Sequence, residues 1–352
     1  MKPENQRHFA SDNQAPVHPE IFAALQKVNA GHTMSYGGDE ITEEAQDLIQ
    51  RHFGKEARPL FVFNGTAANV VALRALVDSH QSILASDVSH LNQDECGAPE
   101  FFVRSKILSI PSVQGKISVA ALEESWQRSG DVHYPQPAAL SLTQPTEFGT
   151  VYSIEELREI LVWAKAKNLK IHIDGARFSN AVCYLKSDFK ALAMDLGVDA
   201  LSFGGTKNGM MFGEAVIVFE KHLQHRLRPI QKQSAQLPSK GRYVAAQFVA
   251  YFSSELWRRI ATNSLARAQE LYEHTKAIPS VRVLAPVQSN AVFVQLPRQA
   301  LKALRQDRFF YIWNEKLQHC RWMCSWDTSS EDVRYFSNRL LELTMNSKER
   351  GP

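Results

Sequence analysis

Long hydrophobic runs are missing from this chain. No stretch approaches the ~20 apolar residues of a membrane span, and the opening residues, Met1 to His8, are polar without an apolar signal core. The expectation is a cytoplasmic protein with no membrane partner. Cysteine is scarce as well: there are four, Cys96, Cys183, Cys320 and Cys324, and none sits in a paired motif. Cys320 and Cys324 are spaced like helix neighbours and have no further ligands nearby, so the sequence shows neither a disulfide framework nor a metal site. A dominant charge is absent too. Lysine and arginine number 40 against 37 acidic residues, a net charge of +3. The densest basic stretch, around Arg226 and Arg228, is too thin for a nucleic-acid groove. Internal repeats and low-complexity tracts are also lacking, which excludes solenoid and fibrous architectures.

What is present is ordinary globular composition, 44% hydrophobic and 22% charged over 352 residues. Single cores stop growing near roughly 250–300 residues, so two domains are expected. Short apolar runs at 59–63, 82–85, 106–110, 138–142, 170–173, 200–203 and 215–219 read as strands. Amphipathic stretches separate them, among them 154–167 behind a capping Ser153. Strands alternating with helices need crossover connections, which makes the sheet mainly parallel. The fold class is therefore α/β, with a large domain over 14–240. After residue 240 the pattern changes to a long helical stretch over 242–275, strands at 281–284 and 291–294, and a closing helix after Ser329. That predicts a smaller α+β domain over 241–352, with 1–13 as an N-terminal segment.

Lys207 follows the 200–203 strand and sits among Gly204, Gly205 and Gly209. Glycines let backbone approach a bound group, and strand ends of open α/β sheets are where ligands bind. A lysine amine of lowered pKa can form a Schiff base, although this residue taken alone reads rather as a solvated loop lysine. Asp174 ends the 170–173 strand and precedes Gly175, Ala176 and Arg177. A carboxylate at the tip of a buried strand needs a cationic partner, unless it caps the next helix. Gly65 and Thr66 lie between a strand and a helix, where exposed amides and a hydroxyl suit a phosphate. His90 and His133 lie in loops, and an imidazole there can stack on a ring or exchange protons near neutral pH. The ordered set Gly65, Thr66, His90, Asp174, Arg177, Lys207 is more specific than any member. It points to pyridoxal 5'-phosphate, whose protonated ring nitrogen is the partner Asp174 needs.

With those residues in hand, the chain resembles the threonine aldolases, in particular the bacterial low-specificity L-threonine aldolase branch, from Phe9 to about Tyr335. The motifs that carry the resemblance are Ser11 to Asn13 with His18 and Pro19, Tyr36 to Asp39, Asn64 to Asn69, and His90 with Glu95. Further on come Asp131 to Tyr134, Leu142 to Val151, Asp174 to Asn180, and Ser202 to Gly209, the most specific. The resemblance implies the aspartate-aminotransferase-like fold type I and cleavage of L-threonine and L-allo-threonine to glycine and acetaldehyde. It implies that Lys207 holds the cofactor as a Schiff base, Asp174 faces the pyridine nitrogen, Gly65 and Thr66 hold the phosphate, and His90 stacks on the ring. Ser11, Arg177 and Arg321 would bind the substrate carboxylate, Arg177 flanking the cofactor as well. His133 would lie near the substrate hydroxyl.

The family also implies a homo-oligomer, a dimer of dimers, in which a neighbouring subunit lends basic residues to the phosphate; Arg226, Arg228, Lys232 and Lys240 are the candidates. One departure stands out. Many members follow the C-terminal arginine with a threonine–histidine pair, whereas here Arg321 leads into Trp322, Met323, Cys324, Ser325, Trp326 and Asp327. His90, His133 or an ordered water are the candidate bases. The competing expectations are a preference for another β-hydroxy amino acid such as phenylserine, another fold-type-I lyase or aminotransferase, and a non-catalytic binding protein. The last is disfavoured by the joint presence of Lys207 and Asp174.

Overall fold

Seven strands form one sheet: β1 (Arg58–Val62), β2 (Gln81–Ser86), β3 (Lys106–Ile110), β4 (Gln136–Thr143), β5 (Lys170–Gly175), β6 (Ala200–Gly204) and β7 (Glu214–Val218). Their order is β1-β7-β6-β5-β4-β2-β3 in a computed structural model that describes residues 7–349. Residues 1–6 of the expected N-terminal segment and 350–352 of the expected C-terminal domain lie outside the described residues. Every position of β6 and β7 is buried, as expected for strands covered on both faces. The pairs β3-β2, β2-β4, β4-β5 and β5-β6 are parallel, each joined through helical crossovers.

β7 breaks the pattern, running antiparallel to both β1 and β6. The connection between β6 and β7 holds only a three-residue helical turn, Thr206–Asn208. That is too short for the crossover a parallel return requires, so the chain must reverse. Lys207 lies in this reversing loop and is thus anchored by a strand on either side.

The helix expected over 154–167 is Ile154–Ala166, and its start is a reciprocal cap: Ser153 accepts from the Glu156 N–H while Glu156 accepts from the Ser153 N–H. The long stretch expected over 242–275 is two helices, Arg242–Ser253 and Leu256–Thr275, broken where Glu255 takes φ 49°. A side chain in the left-handed region ends a helical run. Both helices pack on the large sheet: Phe248, Tyr251, Phe252, Trp257 and Ile260 share a core with Phe53, Phe189 and Phe203. The junction expected at 240/241 therefore precedes a helix that belongs to the large-sheet core. Beyond Ile260 the chain passes into the separate core of the small sheet, which it enters at Ala268.

The small sheet is antiparallel, in the order β10-β11-β9-β8, from β8 (Arg282–Val283), β9 (Ala291–Gln295), β10 (Tyr311–Asn314) and β11 (His319–Met323). Cys320 and Cys324 are not helix neighbours: β11 and its extension place them, with Trp322, on the buried side of a strand. The period of two turns Arg321 to the other face. Phe9 joins this small-sheet core, its N–H donating to Phe309 O at 3.1 Å and its carbonyl accepting from the Met323 N–H at 2.9 Å. Those two bonds carry the following residues, Ser11 and Asp12, toward the large sheet. Among the described residues no helix is long and apolar enough to cross a membrane.

Candidate active site

The parallel strands β4, β5 and β6 end on one edge of the sheet, where an open α/β sheet binds its ligands. Register places Thr143 beside Asp174 and Asp174 beside Ser202. A pocket at this edge brings together Gly65, Thr66, His90, Asp174, Arg177 and Lys207. Asp174 is buried, and its carboxylate accepts from Asn69 Nδ2 at 2.9 Å and from the Ala176 N–H at 3.1 Å. It does not cap the following helix, Phe178–Tyr184, whose first residue follows Arg177 without a side-chain cap.

Lys207 is half-buried. Desolvation, with Arg177 adding to it, pushes its amine below the ordinary lysine range, although Asp12, Asp174 and Glu214 pull the other way. Glu214, at the start of β7, accepts from the Gly205 N–H and so clamps the loop that carries Lys207. Burial raises the Glu214 carboxyl to about 7. The glycines of this loop answer to protein rather than to a bound group. A Cβ on Gly204 would collide with the Ala176 carbonyl, and one on Gly205 with the Gly213 carbonyl.

Gly65 and Thr66 open the helix Gly65–Leu76, where Asn64 accepts from the Ala67 N–H at 2.9 Å. Among the described residues the Gly65 and Thr66 amides have no partner, and a Cβ on Gly65 would meet nothing within 4 Å. Unpaired amides facing open space at a helix start form an anion site. His90 donates its backbone N–H to Glu147 Oε1 at 3.0 Å and meets Glu95 Oε1 through Nδ1 at 2.8 Å. The Glu95 bond raises the imidazole pKa against the effect of burial. Glu147 also accepts from the Thr143 hydroxyl at 2.8 Å, and burial lifts its carboxyl to about 7.

On the other wall, Arg177 forks onto Asp12, with Nη2 at 2.7 Å from Oδ1. Arg321 donates to Ala10 O at 3.4 Å and lies over the Trp313 ring at 5.3 Å. Its buried Nε has no partner among the described residues, and burial together with nearby Arg177 lowers its pKa to about 10. Ser11 stands between Ala10 and Asp12, its Oγ accepting from the Asn13 N–H at 3.2 Å. The three residues expected at a carboxylate thus gather around the N-terminal turn.

His133 does not join them. It is exposed and precedes the N-terminal end of β4, whereas the pocket lies at that strand's C-terminal end. At 3.3 Å per residue, eight residues of strand put about 26 Å between them. Among the basic candidates, Arg226 binds Ala75 O and Asp78 at the far end of the Gly65–Leu76 helix. Arg228 donates to Tyr36 O at 2.7 Å, Lys232 stands 5.8 Å from the Tyr36 ring, and Lys240 is exposed. Five acids or amides of the site have no role that the sequence alone indicates: Asp12, Asn69, Glu95, Glu147 and Glu214. Asp12, Asn69, Glu95 and Glu147 lie inside the motifs that carry the family resemblance, and Glu214 directly precedes the apolar run at 215–219. The available signal was a polar side chain at a strand end or helix start otherwise made of apolar residues and glycine.

The sequence profile of the beta-eliminating lyase family matches residues 8–298. The chain is 42% identical over 334 residues to the low specificity L-threonine aldolase of Pseudomonas aeruginosa, spanning 94% of this chain and 96% of that protein. It is 40% identical over 332 residues to the enzyme of the same description from a Pseudomonas species, spanning 94% and 96%. The structure of a threonine aldolase from Leishmania major superposes with TM-score 0.90 at 27% identity, covering 96% of this chain and 99% of that one. Cystalysin of Treponema denticola, whose structure contains pyridoxal 5'-phosphate, shares the fold with TM-score 0.73 at 12% identity over 98% and 92% of the two chains. The architecture is therefore fold type I, and the chain belongs to the beta-eliminating lyase family, within it to the low-specificity L-threonine aldolases.

Proposed function

We propose that this chain is a pyridoxal-phosphate-dependent aldehyde-lyase that cleaves L-threonine and L-allo-threonine to glycine and acetaldehyde. The observation that carries it is the meeting of Lys207, Asp174 and the open helix start at Gly65 and Thr66 in one pocket, in a chain 42% identical to such an aldolase. The residues fit the cofactor chemically. The Asp174 carboxylate suits a protonated ring nitrogen, two unpaired amides suit a phosphate, and a desolvated amine at Lys207 suits a covalent bond to an aldehyde.

When bound, pyridoxal phosphate supplies an electron sink for the charge left on Cα as the carbon–carbon bond breaks. The protein does the rest. Arg321, with a free buried Nε, and Ser11 hold the substrate carboxylate, and a guanidinium fork is the expected reader of that group. Arg177 assists from its pairing with Asp12. His90 would lie against the ring and would exchange the proton of the β-hydroxyl: its Nδ1 is engaged by Glu95, so Nε2 is the nitrogen left to do so. An ordered water is the other candidate base. His133, on the opposite edge of the sheet, has no such part within one subunit.

The same reading takes the protein as a cytoplasmic homo-oligomer, a dimer of dimers. Lys232 and Lys240, exposed and without ion-pair partners among the described residues, are better placed than Arg226 to serve a neighbouring phosphate. The large domain takes in both helices after residue 240 as far as about Ile260, where the cores divide.

The test is borohydride reduction of the purified protein, mass mapping of the labelled lysine, and incubation with L-threonine. Label on Lys207, with glycine and acetaldehyde as products, is the expected result. Label on another lysine, or 2-oxobutanoate and ammonia, would sink the proposal.

A further inference from the structure

One side-chain amide serves two acids at this site. Asn69 Nδ2 donates to Glu95 Oε1 at 2.8 Å and to Asp174 Oδ2 at 2.9 Å, and all three residues are buried. Glu95 Oε1 also meets His90 Nδ1 at 2.8 Å. A continuous series His90, Glu95, Asn69, Asp174 therefore runs through the pocket. It is assembled from the loop after β2, the Gly65–Leu76 helix and the end of β5. Only one orientation of the amide works, because turning it over would set Oδ1 against two carboxylates. Oδ1 itself is buried with no partner among the described residues, as befits an amide placed for its donors.

We propose that Asn69 is a positioning residue: its two amide hydrogens hold Glu95 and Asp174 side by side, and so tie the His90 imidazole to the carboxylate that faces the cofactor ring. This rests on the assignment of Asp174 made above. Two carboxylates that accept from one nitrogen lie close together, and a shared donor offsets the repulsion between them. The other charges around them are fixed in place. Lys207 and Arg177 lie on the cationic side, with Asp12, Glu147 and Glu214 on the acidic side. His172, two residues before Asp174 on β5, is held neutral near pH 7 by burial between the Ser141 and Ser202 hydroxyls.

The test reads cofactor affinity rather than turnover. The cofactor-free protein is titrated with pyridoxal phosphate at a series of pH values, for the unaltered chain, Asn69→Ala, Asn69→Ala with Glu95→Gln, and Asp174→Asn. Without the shared donor one acid takes up a proton at higher pH. The acid limb of binding in Asn69→Ala should therefore move up by about one pH unit. Removing the second charge with Glu95→Gln should bring it back, a recovery that a packing role for Asn69 does not give. An unmoved limb in Asn69→Ala, even with lost thermal stability, overturns the proposal, as does a double variant displaced as far as the single one. If Asn69→Ala does not fold, Asn69→Ser keeps one donor and should show the same shift in smaller measure, and no shift there counts equally against it. Asp174→Asn separates the two readings. If it binds cofactor normally, the assignment of Asp174 fails; if it binds poorly while the Asn69→Ala limb stays put, only the role of Asn69 fails.

Discussion

Asp12 and Arg177 meet as a two-pronged ion pair, with the guanidinium Nε and Nη2 each on one carboxylate oxygen. The pair joins the N-terminal turn to the loop after β5, and Asn290 adds a third bond to Asp12 at 3.1 Å. Burial alone would raise the Asp12 carboxyl, but Arg177, with Lys207 and Asn290 adding to it, holds the group below the ordinary range. Arg177 is thus oriented by an acid adjacent to Ser11 in the chain. Removing Asp12 leaves a largely buried guanidinium uncompensated. Asp12→Ala should therefore cost about 3–5 kcal/mol in denaturant unfolding, and unchanged stability would show the pair to be idle. A carboxyl with a depressed folded pKa contributes stability above its unfolded value and loses it as pH falls. The difference between the chain and Asp12→Asn should accordingly shrink on acidification.

The two candidate histidines separate cleanly. His90→Ala should lose about 10²–10⁴-fold in turnover of L-threonine if it handles the hydroxyl proton, whereas His133→Ala should keep near-normal turnover from its position at the other end of β4. Steady-state kinetics on both variants decides the matter. Equal loss in both would mean that His133 reaches a site in another subunit, and loss in neither would leave water as the base.

Two buried acids near the pocket make stability depend on pH. Glu147 and Glu214 are each raised by burial from 4.5 to about 7. The folded chain then binds more protons than the unfolded one between those values, so stability falls as pH climbs from about 4.5 toward 7. Glu214→Gln keeps an acceptor for the Gly205 N–H and removes the titration. Its melting temperature should decline less over that window than that of the unaltered chain. A parallel decline would mean that Glu214 remains ionised in the fold.

Gly204 should resist even the smallest side chain. A Cβ there runs into the backbone of Ala176, which cannot rotate away as a side chain could. Overpacking costs about 1–3 kcal/mol even where side chains can adjust. Gly204→Ala should therefore lower the melting temperature and the yield of folded protein. Gly65→Ala, with open space in front of it, should fold normally and weaken cofactor binding instead. If the two variants behave alike, the distinction between packing and ligand glycines fails.

Much of the large sheet is legible because its strands are short apolar runs separated by helical spacing, a pattern that only a covered, mainly parallel sheet satisfies. The reversal of β7 is not, since strand direction depends on what the intervening loop can span. β10 and β11 escape notice for a related reason. β11 alternates between a small core and an outward face, so Cys320, Arg321 and Trp322 carry no continuous apolar run, while β10 lies in the aromatic run Phe309 to Trp313 with none of its own residues fully buried.

By itself, the sequence picks out candidate residues in order along the chain: Gly65 and Thr66 at a helix start, Asp174 at a strand end, Lys207 in a glycine loop. Local rules suffice for these, because strand ends and helix starts expose their own polar groups. Tertiary structure alone decides which acids those residues keep. Glu95 reaches Asp174 through Asn69, Asp12 reaches Arg177 across the N-terminal turn, and Glu214 reaches back under the loop of Lys207. Buried charges must find partners wherever the fold brings them, and those partners lie as many as 165 residues apart in the chain.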